Sequence, residues 1–89
     1  MDKPYTDMAQ RISWHRNLLG YTQEEYAAKA DLKRAAINNY ESGDFPVGLA
    51  AARKLRKTYD LSLDFIYEGI VEALPMNLRK AWLDNPPDK

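Results

Sequence analysis

Apolar positions along the chain recur at intervals of three and four residues, and glycine or proline breaks the pattern at helix-length spacing. Met8, Ile12, His15 and Leu19 fall on one helical face. They predict a first helix over Thr6–Leu19, closed by Gly20 as a left-handed cap. Thr22, Gln23, Glu24 and Glu25 form a capping box that opens a second helix, with Tyr26, Ala27 and Ala30 inward. Asp31 and Leu32 make a short turn, and a third helix follows over Lys33–Ser42, closed by Gly43. Beyond a loop with Pro46 and Gly48, the stripe Leu49, Ala52, Leu55 and Tyr59 predicts a fourth helix over Leu49–Tyr59. Ser62 caps a short fifth helix through Tyr67, ended by Gly69. Pro75 suits the first turn of a last helix over Pro75–Leu83. Pro86 and Pro87 stop it, and the residues beyond are expected to fray. No segment alternates with the period of a strand, so the fold class is all-α.

Length adds that 89 residues make one domain rather than two. A core this small favours local helical contacts or help from a second subunit. There is no cysteine and a single histidine, His15, so neither a disulfide nor a metal site is expected. The lack of cysteine suits a reducing cytoplasm. No apolar run approaches the roughly 20 residues that span a bilayer, and Met1–Tyr5 lacks a signal-peptide pattern.

Net charge is zero, but the charges are unevenly placed. From Arg11 to Lys57 nine Lys or Arg stand against five acids, a balance of +4. From Thr58 onward three bases stand against six acids, a balance of −3. A basic body with an acidic end suits a polyanion-binding face as well as it suits an ordinary solvated surface.

Thr22–Gly43 carries the most information: a short helix, a tight turn and a second helix. Ala27 allows a close crossing, and Leu32 and Ile37 lock the two helices together. The third helix then presents Lys33, Arg34, Ala35, Asn38 and Asn39 outward. These are the group types that recognise base edges in a major groove: Arg for guanine, an amide for adenine, an Ala methyl for thymine.

Arg11-Ile12, Gly20, Thr22–Glu25, Ala27, Ile37, Tyr40–Gly43, Pro46 and Leu61–Gly69 together resemble the Cro/cI-type (XRE) helix-turn-helix family. That family includes the lambdoid phage repressors, and the stretch RISWHRNLLGYTQ is most similar to short prophage-type regulators of bacteria. The resemblance implies a five-helix lambda-repressor-like DNA-binding domain over 1–69, followed by a C-terminal helical extension over 70–89. It implies a homodimeric repressor that binds an inverted-repeat operator in double-stranded DNA, in the cytoplasm of a bacterium and held to its nucleoid. Carried over by position, Arg34, Ala35, Asn38 and Asn39 contact bases, and Arg16, Gln23 and Lys33 contact the DNA backbone. Arg16 and Glu41 match a family ion pair, which stabilises by only about 0–1 kcal/mol if exposed.

Three positions depart from the family pattern. Asp31 replaces a turn glycine, which Asp tolerates. Lys33 stands where Ser or Thr often caps the third helix, so that start is expected to be loose. Asp44 stands where a basic residue often faces DNA.

Phe65, Ile70, Leu74, Leu78 and Trp82 exceed what a five-helix core needs, and they are expected at a two-fold interface. The competing arrangement folds the last helix back onto the core. Trp14 and Trp82 are expected to pack rather than stack on a ligand, and His15 to sit partly buried in the core. No nucleophile–base pair and no phosphate-cradling glycine loop are present, so an enzyme is not expected. Neither a cofactor, a small-molecule ligand nor a membrane partner is implied. The alternative function is an antitoxin or adaptor that uses the same fold to grip another protein.

Overall fold

A computed structural model describes residues 3–87. The chain forms α1 (Thr6–Leu19), α2 (Gln23–Lys29), α3 (Arg34–Ser42), α4 (Leu49–Tyr59), α5 (Leu63–Glu68) and α6 (Met76–Asp84). A single 3-10 turn, Val71–Ala73, precedes α6. All regular structure among the described residues is helical, five helices and a short C-terminal one. The expected ends of α1 and α4 coincide with the observed ones, and the others differ by one residue, within the fraying of helix ends. The chain beyond Pro87, expected to fray, lies outside the described residues.

The breaks follow from local chemistry. Gly20 takes φ 73° at the end of α1. At the start of α2 the Thr22 hydroxyl accepts from the Glu25 amide at 3.1 Å, and the Glu25 carboxylate accepts from the Thr22 amide at 2.9 Å. Ser62 caps α5 by accepting from the Asp64 amide at 3.1 Å. Lys33 precedes α3 without a side-chain cap bond, the loose start expected of it. Gly69 takes φ 72°, a conformation that strains any other residue, and a Cβ there would lie 2.7 Å from the Arg11 guanidinium and displace it. That guanidinium donates to the Ile66 carbonyl at 3.1 Å and so closes the end of α5.

The core is built from Ile12, Tyr26, Ala27, Ile37, Ala52, Leu55, Leu61, Phe65 and Ile66, all essentially without solvent contact. Two expected helix faces are corrected. Leu19 is exposed, while Ala9 and Trp14 are buried beside Ile12 and His15, Trp14 under the Trp82 ring of α6. Leu49 is 60 % exposed, and Val47 in the loop before it takes the core position instead. The Val47 carbonyl accepts from the Tyr67 hydroxyl at 2.7 Å, which pins the loop inward.

The expected two-fold cluster is corrected more deeply. Phe65, Leu74 and Leu78 are buried within the protomer. Trp82 packs edge-on against Trp14 (centroids 4.8 Å apart) and Phe65 (5.1 Å). The Trp14 indole N–H donates to the Asn85 carbonyl at 2.7 Å and latches the tail. A small domain gains more from burying these rings in its own core than from leaving them to await a partner. Of the five residues, Ile70 alone is exposed.

Candidate nucleic-acid interface

The α2–α3 unit is held by backbone geometry at its turn. Asp31 takes φ 58°, the Asp31 amide donates to the Ala28 carbonyl at 3.2 Å, and the Leu32 amide donates to the Ala27 carbonyl at 2.8 Å. This pair of bonds is a Schellman ending, here made with Asp in the place glycine usually takes. The Lys54 ammonium reaches across from α4 and donates to the Asp31 carbonyl at 2.9 Å. Nothing local in the sequence announces Lys54 as a support of this turn, since the contact spans two helices.

With Ala27 and Ile37 buried at the crossing, the opposite face of α3 is left to solvent. Lys33, Arg34, Ala35, Asn38 and Asn39 are all exposed. Their side chains form no hydrogen bond or ion pair among the described residues. An arginine fork, two amides and a methyl thus stand on one helix with their recognition capacity unused.

The tilt of that helix is set from behind. Arg16 on α1 donates through Nε to Glu41 Oε2 at 2.7 Å and through Nη2 to Glu41 Oε1 at 2.9 Å. Its Nη1 donates to the Tyr21 carbonyl at 2.9 Å. The Gln23 amide, at the first position of α2, donates to Glu41 Oε1 at 3.3 Å. One carboxylate therefore ties together α1, α2 and α3. The pair is less exposed than an ordinary surface bridge, with side-chain exposures of 17 % for Arg16 and 9 % for Glu41. The hydrogen bond to Glu41 raises the Arg16 pKa further above its already high value. Arg16, expected at the DNA backbone, is turned toward Glu41 and acts first as a strut. Gln23 is half-buried, and Lys33 is fully at the surface.

Asp44, in the loop after α3, faces Lys3 at 3.6 Å, so part of its charge is offset at the edge of this surface.

His15 lies behind the unit. Its Nδ1 is 2.6 Å from the Tyr26 hydroxyl, and its ring packs edge-on to Tyr26 and Tyr59. Burial lowers its pKa from 6.5 to about 4, so the ring is neutral near pH 7. The same burial pushes the Tyr26 phenol well above its usual range. This histidine–hydroxyl pair is sealed in the core and presents no reacting atom to a substrate. Among the described residues no group of three His, Cys, Asp or Glu side chains is placed to hold a metal ion. Among them, too, no helix is long and apolar enough to cross a membrane.

Against known protein families, a model described as Helix-turn-helix matches residues 12–66, well over half the chain. The matched span runs from the middle of α1 to α5 and contains the whole α2–α3 unit. No curated protein and no solved structure matches the chain.

Proposed function

Because the chain belongs to the helix-turn-helix family and is a DNA-binding regulator of the Cro/cI type, we propose that it is a repressor that binds an inverted-repeat operator as a homodimer. The observation that carries this is the exposed, unpartnered face of α3, held in place by the Arg16–Glu41–Gln23 network. In this reading α3 enters the major groove. Arg34, Ala35, Asn38 and Asn39 touch base edges, while Gln23 and Lys33 meet phosphates on either side. Arg16, already closed on Glu41, reaches the backbone only with the N–H groups that Glu41 and the Tyr21 carbonyl leave free.

A dimer offers two α3 helices, one to each half of an inverted repeat, whose successive major grooves on one face of DNA lie roughly 34 Å apart. The reading also places the protein in a bacterial cytoplasm, on the nucleoid.

The deciding experiment is a titration of a palindromic operator, selected from random sequence, across a range of salt. A sequence-selective complex whose log K falls linearly with log salt, by about 0.9 per phosphate neutralised, is expected. An absence of any salt-dependent duplex binding refutes the proposal in favour of the antitoxin or adaptor alternative, since a pure protein binder releases no counterions from DNA.

A further inference from the structure

Two charged rows meet along the outer edge of α4 and α5. Arg53, Arg56 and Lys57 are exposed and lie three and four residues apart, on one side of α4. Asp60 follows at the left-handed end of that helix, and Asp64, Glu68 and Glu72 continue, exposed, along α5 and the turn after it. The rows are neighbours. Arg56, Asp60 and Leu63 line both a hollow that includes Arg53 and Lys57 and a second hollow that includes Asp64. Yet the ion pairs found among the described residues are Lys3–Asp44, Arg16–Glu41, Lys54–Asp31 and Lys80–Asp84, none of which draws on either row.

Adjacent patches of opposite sign are self-complementary under a two-fold rotation. An axis between them lays the basic row of each copy on the acidic row of the other. We infer that the α4–α5 edge is the surface through which two copies of this chain associate, with Arg56 and Lys57 facing Asp64 and Glu68 of the second copy. The inference rests on the homodimeric reading above and gives that reading a location.

Apolar contact is at hand along the same edge. Leu63 is half-buried where the two hollows meet. Ile70 is 44 % exposed, and its amide donates to the Asp64 carbonyl at 3.3 Å, which sets it beside the acidic row. The edge also adjoins the DNA-reading helix, because Lys54 bonds to Asp31 three residues before α3 begins. A second copy fits better than a DNA backbone as the occupant, since four carboxylates beside the basic row repel phosphates.

Charge reversal tests this in the full chain. Sedimentation equilibrium is run on Arg56→Glu, on Asp64→Arg, on their equimolar mixture and on the wild type, with circular dichroism as the control for folding. Each reversal alone places like charges opposite one another twice per dimer, and dissociation is expected to rise at least about tenfold. The mixture re-forms both pairs in a heterodimer and is expected to return near the wild-type value. Lys57→Glu with Glu68→Lys repeats the swap if either first variant loses helix. A wild-type dimer unmoved by both reversals, or a mixture that fails to recover, overturns the inference and leaves the dimer itself standing. A wild type that stays monomeric both free and on operator DNA overturns the homodimeric reading and the inference with it.

Discussion

Arg16 and Glu41 close on each other through two parallel hydrogen bonds, Nε to Oε2 at 2.7 Å and Nη2 to Oε1 at 2.9 Å. The pair joins the C-terminal half of α1 to the last turn of α3 and is largely shielded from water. Its worth therefore lies between that of an exposed bridge, about 0–1 kcal/mol, and the roughly 3–5 kcal/mol lost when one partner of a buried pair is removed. Glu41→Ala is expected to cost about 2 kcal/mol in urea unfolding. It is also expected to weaken operator binding beyond that of a surface Glu→Ala control, because α3 loses its strut. A stability loss within about 0.5 kcal/mol of zero, the range of ordinary surface substitutions, removes the strut role.

Arg34 is the only long forked donor in the first turn of α3, and it is exposed. A bidentate contact to guanine discriminates by about 1–3 kcal/mol. Arg34→Ala is expected to lose that much on the operator and to relax selection at one guanine per half-site. Binding to scrambled DNA, which draws on the whole basic surface, is expected to fall much less. Affinities for the two duplexes at one fixed salt give the comparison. Equal losses make Arg34 a phosphate contact, and no loss on either removes α3 as the reading helix.

Gln23 opens α2 and already gives one hydrogen bond to Glu41. A phosphate contact from this position orients the protein without reading sequence. Gln23→Ala is expected to weaken all duplexes by similar factors and to leave the preferred operator unchanged. A new base preference in a binding selection contradicts that role.

Neutral His15 stabilises the fold only while it stays neutral. Its pKa is 6.5 in the unfolded chain and about 4 when buried, so the unfolded chain takes up the proton first as pH falls. The His15 contribution is whole above pH 6.5 and is lost progressively down to about pH 4, a total of about 3 kcal/mol. His15→Leu removes the titrating group, though it strips the Tyr26 hydroxyl of its partner and costs stability at every pH. The diagnostic quantity is the slope of unfolding free energy between pH 7 and pH 4.5, which is expected to be shallower in the variant. Parallel slopes sink the assignment.

Phe65 is without solvent contact and is flanked by Trp14 at 6.0 Å and Trp82 at 5.1 Å. Phe→Ala at such a site costs about 3–5 kcal/mol, a large part of the roughly 5–15 kcal/mol that stabilises a small domain. Phe65→Ala is expected to lose the near-ultraviolet tryptophan signal and to unfold at lower temperature. A folded monomer with that signal intact instead returns Phe65 to an interface.

Much of the fold was readable along the chain because its signals are local. Gly20, the Thr22–Glu25 box, Asp31, Gly43 and Ser62 each act on their own turn of backbone, and the helix boundaries follow from them within a residue. The outward face of α3 was readable for the same reason. Once Ile37 points inward, helical spacing places Ala35 and Asn39, two residues to either side of it, on the opposite face. Leu49 misled because its periodicity does not register Val47, a loop residue that the Tyr67 hydroxyl draws into the core.

The sequence by itself determined the helices, their caps, the α2–α3 unit and the side chains offered on α3, since each depends on contacts within a few residues. Only the tertiary structure decided where the apolar surplus of the C-terminal segment goes. Trp82 and Trp14 meet from opposite ends of the chain, and the fold closes over Phe65, Leu74 and Leu78. It alone also set Arg16 against Glu41, Lys54 against Asp31, and the basic row of α4 beside the acidic row of α5. Apolar burial has no direction and a charge has no preferred partner along a chain, so neither is assigned until packing chooses which surfaces meet.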